Sequence, residues 1–267
     1  MKEPLISVVT ICYNSEKTIE TAINSMLSQT YKNYEYVIID GLSQDRTLDI
    51  ISNYKEAFGN KLVVVSEKDN GIYNAINKGI NKCSGEIIGI LNSDDYYSPN
   101  TLESVAKKYE HENYPLIVIN GDLARVSEDG KDVFTYRFKE QQVENKEFFG
   151  HPSMFVAKAV YNKIGLYDET YKYAADGDWQ YRAHEDSEVR YVPSHEVYNH
   201  MRQGGATDNL KLCGKWFKER VRMKKAHNKG STFSIYLSEI IALVGTYIKA
   251  LTPECLQTKL YEFYYKK

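Results

Sequence analysis

The amino-acid sequence predicts an α/β fold: a mostly parallel central sheet flanked by helices, followed by a C-terminal helical appendix. Over residues 1–100, short β-branched runs alternate with segments of helical periodicity, and each run ends in polar residues. The composition, 42% apolar and 26% charged, is ordinary for a folded domain. Strands separated by helices pair in parallel through right-handed crossovers, and ligands bind beyond the carboxyl ends of such strands.

The elements of the first hundred residues follow in a regular order. The strands are short and rich in Val, Ile and Tyr, whereas the helical segments repeat their apolar residues every three or four positions. Predicted strands cover residues 6–11, 36–39, 62–65 and 86–91, and predicted helices cover residues 15–29, 45–57 and 74–82.

Further along the chain the pattern indicates antiparallel partners for the sheet. Residues 116–138 read as a strand, a Glu-Asp-Gly-Lys turn at 128–131, and a returning strand over 133–138. A short strand is predicted over 151–156, and Gly165 ends the helix that follows it. The last two helices of this part are predicted over residues 157–164 and 174–185.

The character of the chain changes after residue 208. Residues 210–229 carry eight Lys and Arg side chains against the single Glu219, and residues 235–251 are apolar but too interrupted to span a bilayer. This pattern predicts a basic helix followed by an amphipathic helix. Such a pair either lies on an anionic membrane surface or packs against a core or a second subunit in a homodimer, and both alternatives remain open. We therefore divide the chain into a catalytic domain, 1–208, and an extension, 209–267.

Composition also narrows the class of protein and its compartment. The formal net charge of −2 supplies no field for nucleic acid, so a nucleic-acid partner is not expected. The four cysteines lie too far apart for a zinc site or a dense disulfide framework, which favours a reducing compartment. The N-terminus shows no export signal. We expect a cytoplasmic protein, peripheral on the inner face of the membrane if the extension docks there.

The segment Asn92-Ser93-Asp94-Asp95 is the sharpest chemical feature of the sequence. It follows the fourth predicted strand directly, and two adjacent carboxylates at a buried strand end repel each other unless a cation lies between them. Mn²⁺ and Mg²⁺ prefer one or two protein carboxylates together with phosphate oxygens. The turn therefore predicts a divalent metal that bridges a nucleotide diphosphate, with Asp94 and Asp95 as ligands.

Other polar residues are expected at the same edge of the sheet. Asp40 can accept hydrogen bonds from a nucleobase or a ribose, and Asp69, Asn74 and Lys78 can complete a nucleotide pocket. Taken singly, each of them is explained equally well as a turn former or a helix start. Their shared position at the strand ends is what favours binding.

A second acidic pair, Asp176 and Asp178, opens the helix predicted over 174–185. Either carboxylate can act as a general base if an acceptor hydroxyl comes within hydrogen-bond reach, and either can instead cap the helix. Downstream, His200, Arg202 and Gln203 precede two glycines. They are expected in a flexible polar loop that closes on phosphates, or in a turn that leaves the domain.

The chain resembles glycosyltransferase family 2, whose members have the GT-A fold, and among them the bacterial polysaccharide-assembly type. The resemblance covers about residues 5–208. It rests on the segments 7–14, 39–47, 67–79, 92–95 and 176–179.

The resemblance implies a nucleotide pocket at Thr10, Tyr13, Asp40 and Asp69, a metal at the Asp94-Asp95 turn and a base at Asp176. It also implies a nucleotide-binding half over about 1–100, which includes the turn residues Asn92 and Ser93, and an acceptor half over about 101–208. Two departures matter. Asn92 replaces the first aspartate of the usual Asp-x-Asp, so ligation falls first on Asp94, and Ala175 replaces the usual Glu, which leaves Asp178 as an alternative base.

The function expected is transfer of a hexose from a UDP-sugar to a saccharide acceptor, and the resemblance implies that this transfer inverts the anomeric carbon. We expect that acceptor to be linked to a polyprenyl diphosphate in bacterial surface polysaccharide synthesis: O-antigen, capsule or exopolysaccharide. The alternative is a noncatalytic nucleotide-sugar-binding or scaffold protein of the same fold. A dinucleotide oxidoreductase is set aside, since no Gly-x-Gly-x-x-Gly follows the first strand.

Overall fold

The computed structural model describes residues 3–127, 130–138, 150–204 and 210–252. Its first half is a parallel sheet in the order β3-β2-β1-β4. Cys12, Asp40 and Ser66 are register partners, so the carboxyl ends of three neighbouring strands are level. The strands are β1 (Ile6–Cys12), β2 (Tyr34–Asp40), β3 (Leu62–Ser66) and β4 (Ile87–Ile90).

Helices cover this parallel sheet, as the periodicity predicts. The segment expected as one helix over 45–57 is two helices, because Tyr54 ends one and precedes the other. Gly79 lies against β1 so closely that a Cβ there would meet a Val9 methyl at 2.2 Å, which explains a glycine inside a helix. The helices are α1 (Ile19–Leu27), α2 (Thr47–Asn53), α3 (Lys55–Phe58) and α4 (Ile72–Lys82).

The second half extends the same sheet with mixed pairing. Beyond β4 the order is β8-β6-β9-β5. Strand β7 pairs with the second part of β6, on the side opposite β9, where β8 pairs with the first part. Strand β8 is antiparallel to β4 and β6, whereas β9 is parallel to β6. The elements are β5 (Tyr96–Tyr97), α5 (Thr101–Glu112), β6 (Ile117–Val126), β7 (Asp132–Tyr136), β8 (Met154–Ala157), α6 (Lys158–Ile164), α7 (Ala175–Glu185) and β9 (Arg190–Arg202).

The antiparallel partners expected after residue 115 are therefore present. β6 and β7 form the predicted hairpin, although half of its turn, residues 128–129, lies outside the described residues. The strand expected over 151–156 starts later, because His151–Ser153 form a 3-10 turn around Pro152. The fold class predicted from the sequence is confirmed.

The expectation of a flexible loop at His200 and Arg202 is wrong. Both residues belong to β9, which pairs with β6 as far as Val126 opposite Arg202. Gln203 follows in a turn, and its backbone N–H donates to Val126 O at 2.9 Å. Polar side chains in this segment gave it the appearance of a loop, but a long neighbouring strand supplied the hydrogen bonds that make it a strand.

The C-terminal extension is helical where the structure describes it, with α8 (Cys213–Ala226) and α9 (Thr232–Leu251). Helix α8 contributes Met223 to the main hydrophobic core, where it is 1% exposed. None of the helices in the described part of the chain combines the length and the apolar content needed to span a bilayer.

Candidate active site

Three loops meet at the carboxyl edge of the parallel strands. Gly41, just after β2, approaches both neighbours so closely that a Cβ there would lie 2.5 Å from Asp69 Oδ2 and 3.5 Å from the Tyr13 ring. A side chain at this position would require the Asp69 carboxylate to move. The Tyr13 side chain is 62% exposed, so its flat face is open to a ligand.

The loops after β1 and β2 hold unusual backbone conformations. Asn14 and Leu42 have positive φ angles of 49° and 64°, which are uncommon for residues other than glycine. The Asn14 N–H donates to Ser43 Oγ at 2.8 Å, and the Gln44 N–H donates to Asn14 Oδ1 at 2.8 Å. These bonds cross-link the two loops and keep the backbone in place around Tyr13.

Asp40 and Thr10 do not reach this open edge. Asp40 is fully buried, and its carboxylate accepts hydrogen bonds from Ser66 Oγ at 2.7 Å and the Ser43 N–H at 3.1 Å. Thr10 is fully buried inside β1, where its hydroxyl accepts a hydrogen bond from Tyr36. In this structure Asp40 shapes the loop after β2 and Thr10 belongs to the core; contact of either residue with a nucleotide stays a prediction.

Asn74 and Lys78 support the loop that carries Asp69. Lys78 forms an ion pair with Glu67 at 2.9 Å and donates to the Lys68 carbonyl at 2.7 Å. Asn74 Oδ1 accepts from the Asn70 N–H at 3.1 Å, while its amide donates to Glu169 at 2.9 Å. Both side chains organise the segment 67–71, and Asp69 itself accepts from the Gly71 N–H.

The turn after β4 places its two carboxylates differently. Asp95 is 1% exposed, and it accepts hydrogen bonds from the Asn92 amide at 2.9 Å and the Arg202 N–H at 3.1 Å. Asp94 is partly exposed at the same edge. Ser93 joins the turn to the loop after β1, since Ser93 Oγ and Ser15 Oγ lie 3.0 Å apart.

The electrostatics of this turn disfavour uncompensated negative charge. Burial raises the pKa of Asp95, and the neighbouring charge of Asp94 raises it further. Burial also raises the pKa of Asp94, whereas the positive charge of Arg202 lowers it. Arg202 Nε donates to the Asp94 backbone carbonyl at 3.3 Å, so the end of β9 is hydrogen-bonded to the acidic turn. Of the two carboxylates, Asp94 is the more exposed.

The two acidic residues of α7 also have different surroundings. Asp178 is buried and accepts from Arg182 Nε and His227 Nε2, both at 2.9 Å. Asp176 is partly exposed and accepts from the Tyr73 hydroxyl at 2.9 Å. Tyr73 lies on α4, two residues after Gly71, so this bond places Asp176 beside the loop that carries Asp69.

Some residues around Asp176 carry no signal in the sequence. His151 Nε2 and the Tyr167 hydroxyl lie 2.6 Å apart, and the Tyr167 ring stacks on Tyr73. Burial lowers the pKa of His151, and the charge of nearby Asp176 opposes that shift. Asn199, whose amide donates to Asp95 Oδ2 at 3.5 Å, is likewise placed by tertiary structure alone. Tyr73 could have been suspected, because it lies inside the segment 67–79.

Solved structures share this fold. TarS residues 1–349 from S. aureus, in complex with UDP-GlcNAc, superimposes with a TM-score of 0.67 at 19% identity, over 89% of this chain and 72% of that one. The mannosyltransferase PcManGT from Pyrobaculum calidifontis, in complex with GDP-Man and Mn²⁺, gives a TM-score of 0.60 at 16% identity, over 91% and 70%. The GT-A fold expected from the resemblance is confirmed.

Sequence comparison agrees with the fold. A PGL/p-HBAD biosynthesis glycosyltransferase of Mycobacterium bovis is 26% identical over 224 residues, which cover 84% of this chain and 86% of that protein. The family model for glycosyl transferase family 2 matches residues 7–168, which is more than half of the chain and includes Tyr13, Asp69 and the Asn92–Asp95 turn but not Asp176. The chain therefore belongs to glycosyl transferase family 2.

Proposed function

We propose that this glycosyltransferase moves a hexose from a UDP-sugar to a hydroxyl of a saccharide acceptor, with inversion at the anomeric carbon. A UDP-sugar donor is supported by the UDP-GlcNAc complex of the S. aureus neighbour. A role in cell-surface glycan synthesis is supported by the mycobacterial relative, which is named for PGL/p-HBAD biosynthesis. We further propose a lipid-linked acceptor, and reaction at the cytoplasmic face of the membrane.

The donor lies, in this proposal, along the carboxyl edge of β1, β2 and β4. Tyr13 offers a flat exposed face for the nucleobase, and Asp69 lies next to it across Gly41. Asn92 and Ser93 approach the ribose and the first phosphate, while Asp94 faces the diphosphate. The cross-linked loops are set before the donor arrives, which reduces the ordering cost of binding.

A divalent cation, Mn²⁺ or Mg²⁺, fits the metal ligand that Asp94 offers. The ligand offered is a hard carboxylate oxygen in a place where burial makes bare negative charge unfavourable. Within the described residues no group of three or more His, Cys, Asp or Glu side chains could hold a metal alone. The donor phosphates would therefore supply most of the remaining ligands, and the bound cation would offset charge on the departing diphosphate.

Asp95 takes a supporting part in this proposal. Its oxygens already accept hydrogen bonds from Asn92, Arg202 and Asn199, so it holds the turn in the shape that presents Asp94. Metal ligation by Asp95, the second ligand expected from the sequence, is therefore not part of the proposal.

Asp176 is the proposed base. The acceptor oxygen attacks the anomeric carbon, the bond from that carbon to the diphosphate oxygen breaks, and the acceptor proton passes to the Asp176 carboxylate. The observation that carries the proposal is the hydrogen bond between Tyr73 and Asp176. Asp176 is the more exposed carboxylate of the α7 pair, and this bond links it to the loop that carries Asp69.

The first test compares wild-type protein with Asp94→Ala. We expect wild-type protein with Mn²⁺ to be thermally stabilised by a UDP-sugar and to release UDP slowly, whereas Asp94→Ala loses at least about tenfold in both donor affinity and UDP release. A panel of UDP-glucose, UDP-galactose, UDP-GlcNAc and GDP-mannose identifies the donor. Ser52→Ala, on the exposed end of α2, is the matched control.

Two results would contradict the proposal. Stabilisation by a UDP-sugar without any UDP release, even with a saccharide acceptor present, would favour the noncatalytic binding protein. Equal activity of Asp94→Ala and wild type would remove the metal from the acidic turn.

A further inference from the structure

Helix α9 turns an apolar face outward, away from the rest of the described chain. Its inner side, with Ile235 and Glu239 each 2% exposed, packs on α8. At about 100° per residue, a second apolar stripe lies on the opposite side of the helix. That stripe consists of six side chains that are 47% to 77% exposed: Phe233, Leu237, Ile240, Ile241, Val244 and Ile248.

The surroundings of this stripe are strongly basic. Residues 210–252 contain nine Lys and Arg against two Glu, in a chain whose net charge is −2. Both glutamates are engaged internally: Glu239 pairs with Arg220 at 2.8 Å and Lys224 at 2.6 Å, and Glu219 accepts from the backbone N–H groups of residues 172 and 173. The charges that α8 and α9 present outward are therefore positive.

Helix α8 exposes lysines, and one of them lies against α9. Lys215, Lys218 and Lys225 are exposed, and Lys225 Nζ lies 4.8 Å from the centroid of the Tyr236 ring, which is itself exposed on α9. An exposed apolar stripe on one helix, together with exposed lysines on the helix packed against it, is the pattern of a segment that lies in the interface of an anionic bilayer, with apolar side chains among the acyl chains and lysines at the headgroups.

A second copy of the chain fits this face less well. A symmetric dimer places the same patch of each subunit against the other, so it would bring two surfaces of the same positive sign together. An anionic bilayer supplies both the apolar layer and the opposite charge. We propose that the outer face of α9, together with the exposed lysines of α8, docks this protein on an anionic lipid surface.

The docking surface is connected to the active site through short contacts. His227, just after α8, pairs with Asp178 on α7 at 2.9 Å, and Glu219 binds the loop that precedes α7. The helix that carries Asp176 and the helix pair that carries the stripe are thus held together. The inference stands on exposure and charge alone, and it does not depend on the proposed reaction.

Vesicle flotation tests the inference with the full-length protein. Probes are vesicles of phosphatidylcholine alone and of phosphatidylcholine with phosphatidylglycerol in equal parts. We expect wild-type protein to float with the anionic vesicles at least about tenfold more than with the neutral ones, and less as salt is raised. Ile241→Asp/Val244→Asp should lose about tenfold of that binding, and Lys215→Glu/Lys218→Glu should also weaken it.

The control and the contrary outcomes are specific. Val63→Asp places the same substitution on an exposed valine of β3, and it should float like wild type. Thermal unfolding and UDP release of Ile241→Asp/Val244→Asp should match wild type, which separates failure to dock from failure to fold or to catalyse. The inference is overturned if the double variant floats normally or if wild type ignores lipid charge. It is also overturned if wild type does not bind vesicles but sediments as a dimer that the double variant dissociates.

Discussion

Asp176 and Asp178 lie two residues apart in the first turn of α7, yet their side chains meet different partners. A helix turns by about 200° over two residues, so the two carboxylates point to opposite sides. Asp178 is directed towards Arg182 and His227, and Asp176 towards Tyr73. Helix geometry therefore directs Asp178 into a buried group of hydrogen bonds and leaves Asp176 next to the loop that carries Asp69.

The conservative variants of these two aspartates should separate activity from stability. We expect Asp176→Asn to lower the transfer rate by about 10² to 10⁴ while donor-induced thermal stabilisation is kept. Asp178→Asn should instead lower the free energy of unfolding by about 2 kcal/mol, because Arg182 and His227 lose a buried charged acceptor. Steady-state kinetics and urea unfolding measure the two effects. An inactive Asp178→Asn beside an active Asp176→Asn would move the base to Asp178.

At the scale of elements, the parallel strands are joined at both ends. Their carboxyl ends meet through the loops around Tyr13 and Gly41, and their amino ends meet through Glu35 on β2. The Glu35 carboxylate accepts hydrogen bonds from the Ser7 hydroxyl on β1 and from the Ser84 backbone and hydroxyl before β4. One half-buried side chain thus connects three elements, and its protonation affects all of them.

The contribution of Glu35 should depend on pH. Burial alone would raise the pKa of Glu35, but the hydrogen bonds from Ser7, Ser84 and Gly85 together lower it below the usual value of 4.5. A pKa that is lower in the folded than in the unfolded chain gives stability above about pH 4.5, which is lost as the pH falls through the lowered pKa.

We therefore expect Glu35→Gln to cost about 1 kcal/mol of unfolding free energy at neutral pH, a figure kept low because the group is only half buried. The difference from wild type should shrink as the pH falls below about 4.5 and through the lowered pKa of Glu35. Urea unfolding across the pH range measures it, with the exposed Glu86→Gln as control. A difference that stays constant with pH would show that the charge of Glu35 does not contribute.

For the whole molecule, the two helices after residue 208 differ: α8 is part of the packed domain, whereas α9 lies outside it. Helix α8 places Met223 in the main core, and His227 just after it contacts α7, whereas α9 packs on α8 with one narrow side. The boundary expected at residue 208 marks a change in composition, but the main hydrophobic core continues into α8.

Two truncations should distinguish these roles. A chain ending at residue 208 loses Met223 and the Glu219 contacts, and we expect its free energy of unfolding to fall by about 3 kcal/mol and its Tm by about 10 °C. A chain ending at residue 231 keeps α8 and should unfold within about 3 °C of wild type. Differential scanning fluorimetry makes the comparison. Equal stability of the shorter chain and wild type would show that α8 is dispensable for folding.

The sequence by itself determined the α/β class, the four parallel strands, the hairpin and the acidic turn at Asn92–Asp95. These are carried by local patterns: β-branched runs, helical periodicity, and polar residues directly after strands. Family membership was likewise readable from short segments, and the matching model confirms it. The roles of Asp176 and Asp178 were left as alternatives, because both residues share one local pattern.

Only the tertiary structure decided which side chains meet. Tyr73 reaches Asp176 across 103 residues of sequence, and β9 reaches the acidic turn across 107. Pairing with β6 made a strand of the segment expected as a loop at His200, and burial in the sheet removed Thr10 and Asp40 from the open edge. Exposure, pairing and burial depend on contacts between distant segments, and local sequence patterns do not record them.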